Sequence, residues 1–114
     1  MLTIEALKEY GANVDEGLSR LMGNEALYIR LVNVACEDKH FDMLQKALAA
    51  GDYNAAFEDA HALKGAISNL SLTPLQEKIS VLTDALRKRE EGDYSQQLQQ
   101  VLEEKKRLDT LRTG

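Results

Sequence analysis

Four glycines, each followed within two residues by Asn or Asp, divide this 114-residue chain: Gly11 with Asn13, Gly23 with Asn24, Gly51 with Asp52, and Gly92 with Asp93. Glycine ends a helix by adopting the left-handed conformation at low cost. Asn and Asp start the next one, because a side-chain oxygen accepts an orphan backbone N–H. Asn13 also has Glu16 three residues on, a capping box with Asn in the usual Ser/Thr place. The single proline falls in Thr73-Pro74-Leu75-Gln76, which reads as a Thr cap, Pro at the first helical position and Gln at the third. This punctuation predicts short helices over 3–10 and 14–22, then longer ones over 24–50, 52–71, 74–91 and 94–111.

Hydrophobic periodicity gives those segments faces. Leu27, Leu31, Val34, Phe41, Leu44 and Leu48 form one stripe over 24–50, interrupted by the polar run Glu37 to His40, where a kink or break is expected. Leu75, Ile79, Leu82 and Leu86 line the fifth segment. Tyr94, Leu98, Val101 and Leu108 line the sixth, with Lys105 intruding. Aromatic residues make up 5% of the chain and there is no Trp, so the core must come mainly from Leu, Ile, Val and Ala. The fold class expected is all-α. Short connections between long amphipathic helices predict an up-and-down antiparallel four-helix bundle over 24–111, with the short helices of 1–23 flanking one end of a single domain.

Charge and composition restrict function. A net charge of −5 argues against nucleic-acid binding, which needs a basic face to replace counterions. No apolar run approaches the ~20 residues that span a bilayer, and Met1 to Glu5 lacks a signal-peptide pattern. A lone cysteine, Cys36, cannot close an intrachain disulfide and fits a reducing cytoplasm. Among Val34 and Ala35 it reads as a small buried side chain.

The chemistry concentrates on the 52–71 segment. Ala56, Ala60, Leu63, Ile67 and Leu70 recur at steps of three and four and mark its buried stripe. At 100° per residue, His61 lies roughly 160° from Leu63. Phe57, Glu58, Lys64, Gly65 and Ser68 share that outer side, whereas Asp59 falls near the stripe, at the core boundary. An exposed neutral imidazole is a competent nucleophile near neutral pH. Lys64, one turn on, can offset the charge of a phosphoryl group. Gly65 costs a helix about 1 kcal/mol relative to Ala. A partner closing over His61 would explain it, and so would a tight helix contact, were it not turned away from the stripe. Phosphoryl transfer depends mainly on positioning, so a sparse acceptor site suffices. A lone surface His beside a Lys is otherwise simply a solvated helix face.

Gly51-Asp52-Tyr53, then Ala60-His61-Ala62-Leu63-Lys64-Gly65 and Asn69-Leu70, resemble the histidine-containing phosphotransfer (HPt) domain of bacterial multistep phosphorelays. The resemblance extends over nearly the whole chain in helix number and order. It implies that His61 is the phosphoacceptor, Lys64 a phosphoryl contact and Gly65 the clearance for a receiver domain. Phe57, Glu58 and Ser68 are then candidate docking residues. The implied partners are a response-regulator receiver domain and a hybrid sensor histidine kinase. The receiver supplies Mg²⁺, and this chain needs no cofactor. With no nucleotide loop and no room for an ATP-binding domain, the expectation is a stand-alone, monomeric, cytoplasmic carrier that is not itself a kinase. The family often places a second glycine ten residues after the histidine. Here that position is Ser71, a variation in the turn.

Two other classes compete. Glu37-Asp38-Lys39-His40 and Glu58-Asp59-Ala60-His61 both read Glu-x-x-His, as in di-metal carboxylate bundles, with Glu77 and Glu103 available. Glu58 and His61 point outward on the wheel, which disfavours a metal centre. A non-catalytic adaptor of the same fold is the other alternative, disfavoured by the joint presence of His61, Lys64 and Gly65.

Overall fold

A computed structural model describes residues 1–89 and 93–113. Among the described residues there are seven helices and no strand: α1 (Ile4–Tyr10), α2 (Val14–Ser19), α3 (Glu25–Cys36), α4 (His40–Ala49), α5 (Tyr53–Asn69), α6 (Thr73–Lys88) and α7 (Ser95–Thr113). The four predicted Asn and Asp caps form. Asn13, Asn24 and Asp52 accept backbone N–H groups from Glu16, Leu27 and Ala55, and Asp93 accepts from Ser95. Gly11 and Gly51 take the left-handed conformation at φ 109° and 71°. Gly92 lies outside the described residues.

The helices form an up-and-down bundle. α5 packs against α4 and α6, and α6 packs against α7. Short turns join α4 to α5 and α5 to α6 and leave each pair antiparallel. Leu44, Leu63, Ile67, Leu75, Ile79, Leu82, Leu86, Val101 and Leu108 fill the interior. The stripes expected on α5 and α6 are all buried. On the last segment Tyr94, Val101 and Leu108 are buried and Leu98 is half-buried. Lys105 is accommodated at the edge by an ion pair to Asp109 (2.6 Å) and a position 5.1 Å over the Phe41 ring.

Two expectations need correction. The 24–50 segment is two helices, as the polar run suggested, but the stripe drawn across it fails in α3. Tyr28, Val32, Ala35 and Cys36 are buried there, Leu27 and Leu31 are half-buried, and Val34 is 61% exposed. The break is the cause. Asp38 Oδ1 accepts the His40 backbone N–H at 2.9 Å and meets its ring Nδ1 at 2.7 Å, offering the backbone an alternative to continued helix. That resets the helical phase, so Phe41 and Leu44 say nothing about which side of α3 faces inward. Thr73 does not cap α6 either. It is the first helical residue, Leu72 takes the cap position, and the Thr73 hydroxyl donates to Ser71 O at 3.3 Å. Ser71 turns the chain with φ 53°, and the helix starts one residue early.

Helices α1 to α3 close one end of the bundle over the C-terminus of α5. The last carbonyls of a helix lack intrahelical donors, and here donors from the N-terminal helices satisfy them. Arg20 Nη1 donates to Asn69 O (3.0 Å), the Tyr28 hydroxyl to Leu70 O (2.7 Å), and the Asn13 N–H to Ser71 O (2.9 Å). Ser71 is 2% exposed. Its hydroxyl accepts from Arg20 at 2.8 Å and donates to Glu16 at 2.9 Å. The Arg20 and Ser71 bonds hold the Glu16 carboxyl below its usual pKa. Gly17 fits beneath this knot because a Cβ there would meet Tyr28 Cε1 at 2.6 Å and Leu70 O at 3.0 Å.

Candidate functional site

α5 displays its outer face between α4 and α6. Ala56, Ala60, Leu63 and Ile67 anchor the opposite side in the core, which fixes the helix rotation and leaves His61 exposed. Glu58 is exposed beside it, and Lys64 and Ser68 are half-buried further along the same side. Lys64 makes no ion pair among the described residues. Its ammonium is therefore not committed to a neighbouring carboxylate.

Gly65 is exposed, and a Cβ built there meets nothing within 4 Å. It is also not among the positive-φ residues. Neither backbone conformation nor internal packing therefore requires glycine at this position. The tight-contact explanation fails, and the contrast with Gly17 makes the point within one molecule.

Phe57, one turn before His61, is half-buried against the core and lies nearly parallel to the imidazole, with ring centroids 5.8 Å apart and planes inclined by 17°. From α6, the Arg87 guanidinium sits 5.6 Å over the Phe57 ring and pairs with Asp84 at 2.9 Å. Arg87 was not visible as a site neighbour in the sequence. It lies in another segment, and only the packing of α6 on α5 brings it there.

Asp59 is not at the boundary as expected: it is buried, at 6% exposure. Burial raises its carboxyl pKa, with the His40 ring opposing and Asp52 and Glu58 adding to the rise. His40 is half-buried and bonded to Asp38. The Cys36 thiol is buried and pushed up to about 11, which keeps it protonated and inert at neutral pH. The residues weighed as metal ligands do not gather. Glu37 pairs with Arg112 at 2.5 Å, and Glu58, Glu77 and Glu103 are exposed. Among the described residues no three His, Cys, Asp or Glu side chains converge to hold an ion. No helix among them is long and apolar enough to cross a membrane.

The helical bundle thus presents His61 outward from α5, with α4 and α6 packed to either side of that helix. The Hpt domain family model matches residues 37–113, from the break after α3 through α7, and the chain belongs to that family. Hpt domains are phosphotransfer modules of two-component signalling, and they act with receiver domains and histidine kinases without being kinases themselves. No curated protein and no solved structure matches the chain.

Proposed function

We propose that His61 is the phosphoacceptor of this Hpt chain, taking a phosphoryl group from a receiver-domain aspartyl phosphate and passing it to a second receiver. The observation that supports this best is the open space beside an exposed imidazole, at a glycine that the fold itself does not need. A ring nitrogen lone pair attacks phosphorus. The N–P bond forms as the P–O bond to the aspartyl carboxyl breaks, and the carboxylate leaves with the electron pair. The return transfer runs the same bonds backwards onto another aspartate. Lys64 contacts the phosphoryl oxygens and balances their charge. The receiver supplies Mg²⁺, and this chain supplies the acceptor and its alignment.

Docking uses the outer face of α5 around His61, with Glu58, Ser68 and the exposed edge of Phe57 at the contact. Beyond Gly65, a groove with an apolar floor from Leu31, Val34 and Ala35 of α3, Ala66 of α5 and the Leu70 that follows it, edged by Asn69, Glu37 and Asp38, continues the surface available to a receiver. Incubation with phosphorylated receiver domains tests the assignment, following acid-labile phosphate onto this chain. Wild type gains label and His61→Gln gains none. Label on His61→Gln moves the site elsewhere. Failure of wild type with every receiver of its own organism ends the carrier reading and leaves the adaptor.

A further inference from the structure

An imidazole on an exposed helix face has two free torsions, and its second is broad and nearly two-fold. Exposed side chains exchange rotamers in picoseconds to nanoseconds. In-line phosphoryl transfer selects a narrow subset of those orientations, and displacing a reacting group by about 1 Å can cost ~100-fold in rate. An acceptor held only by its own Cβ therefore spends much of its time misaligned. His61 has more than its Cβ to hold it. Phe57 at i−4 lies close to parallel at 5.8 Å, within the range of favourable aromatic stacking. Phe57 is itself fixed, packed on the core below and covered by Arg87 at 5.6 Å. Arg87 in turn is steadied by Asp84 on its own helix. The ring plane of His61 is thus referenced through Phe57 to α6 as well as to α5.

The geometry points to Phe57 as a positioning residue that holds the plane of the His61 imidazole for transfer, braced by Arg87 from α6. This rests on the phosphoacceptor reading of His61. It gives Phe57 a role distinct from docking, because a docking residue sets how much receiver is needed, and a positioning residue sets the rate once receiver is saturating.

The variants Phe57→Leu, Phe57→Tyr and Arg87→Gln separate these roles. Leucine keeps apolar bulk against the core but has no aromatic face; tyrosine keeps the face. Two readouts are followed: the NMR shifts of the His61 ring protons, which a parallel aromatic ring displaces, and the single-turnover transfer rate from a phosphorylated receiver across receiver concentration. In Phe57→Leu the ring-proton displacement disappears and the saturating rate falls on the order of tenfold. Phe57→Tyr restores both, and Arg87→Gln gives a smaller fall in the same direction. If Phe57→Leu keeps the wild-type saturating rate, or only raises the receiver concentration for half-saturation, positioning is wrong and docking stands alone. Ring-proton shifts unchanged between wild type and Phe57→Leu overturn the stack itself. Wild type that takes no phosphate overturns the phosphoacceptor reading and this inference together, a result distinct from both.

Discussion

Substitution of Gly65 separates stability from function in opposite directions. A Cβ at this position meets nothing within 4 Å, so Gly65→Ala carries no steric penalty. The site is exposed, so the added methyl gains little from burial. What remains is the backbone entropy of an interior helical glycine, about 1 kcal/mol in favour of Ala. For a chain of this size that is a rise of roughly 4 °C in Tm, or about 0.5–1 M in the urea midpoint. Leu has nearly the helix propensity of Ala, so Gly65→Leu gains almost as much, yet it sets an isobutyl group beside the imidazole. Transfer from a phosphorylated receiver then falls at least ~10-fold. Phosphoramidate, a donor small enough to pass the new side chain, still labels His61 at the wild-type rate. Urea denaturation followed by circular dichroism reads the first effect, and phosphate transfer reads the second. Receiver-dependent transfer at the wild-type rate in Gly65→Leu would refute the clearance argument. Destabilisation by Gly65→Ala would refute the open space beside the helix.

Lys64→Ala leaves the urea midpoint unchanged, since Lys64 makes no ion pair among the described residues, and slows transfer at saturating receiver; an unchanged rate removes it from the site. Asp59→Asn raises the urea midpoint at pH 7. Burial lifts the folded carboxyl above its ordinary value of 3.8, so stability tied to its protonated form is full below that value and lost as pH rises through the folded value. The gain from Asn therefore shrinks as pH is lowered toward 4, and a gain independent of pH contradicts the sign. Ser71→Ala and Ser71→Gly both delete the hydroxyl, but only glycine relieves the left-handed backbone. The glycine variant is the more stable of the two by about 1 kcal/mol; equal urea midpoints would mean that the φ of 53° stores no strain.

The candidate site was legible because α5 is a single unbroken helix. Four apolar positions within it and Leu70 just after it agree on one phase, and the side opposite them can be read from spacing alone. α6 was legible for the same reason. α3 was not, because Asp38 resets the phase between Cys36 and His40, and a stripe shared with α4 has no meaning across that reset. The false Thr73 cap arose from a motif that is locally correct but shifted by the Ser71 turn. Arg87 beside Phe57, and the Arg20, Glu16 and Ser71 knot, depend on residues far apart in sequence whose meeting only the packed helices decide. Their letters read as ordinary surface charge and a loop serine. Gly17 shares with Gly65 the signature of a glycine inside a helix, and only the surroundings show that packing requires the one and leaves the other open.

The knot at the end of α5 also bears on how this protein can be transplanted. The family match begins at residue 37, yet the donors for Asn69 O, Leu70 O and Ser71 O are Arg20, Tyr28 and Asn13. A graft cut at the family boundary would carry His61 on a helix whose far end has lost its hydrogen-bond donors, the fully buried Tyr28 among them. The portable unit for fusion to another signalling protein therefore reaches back at least to Asn13, the cap of α2, and a graft that starts later would display the same histidine on a support whose far end has lost donors.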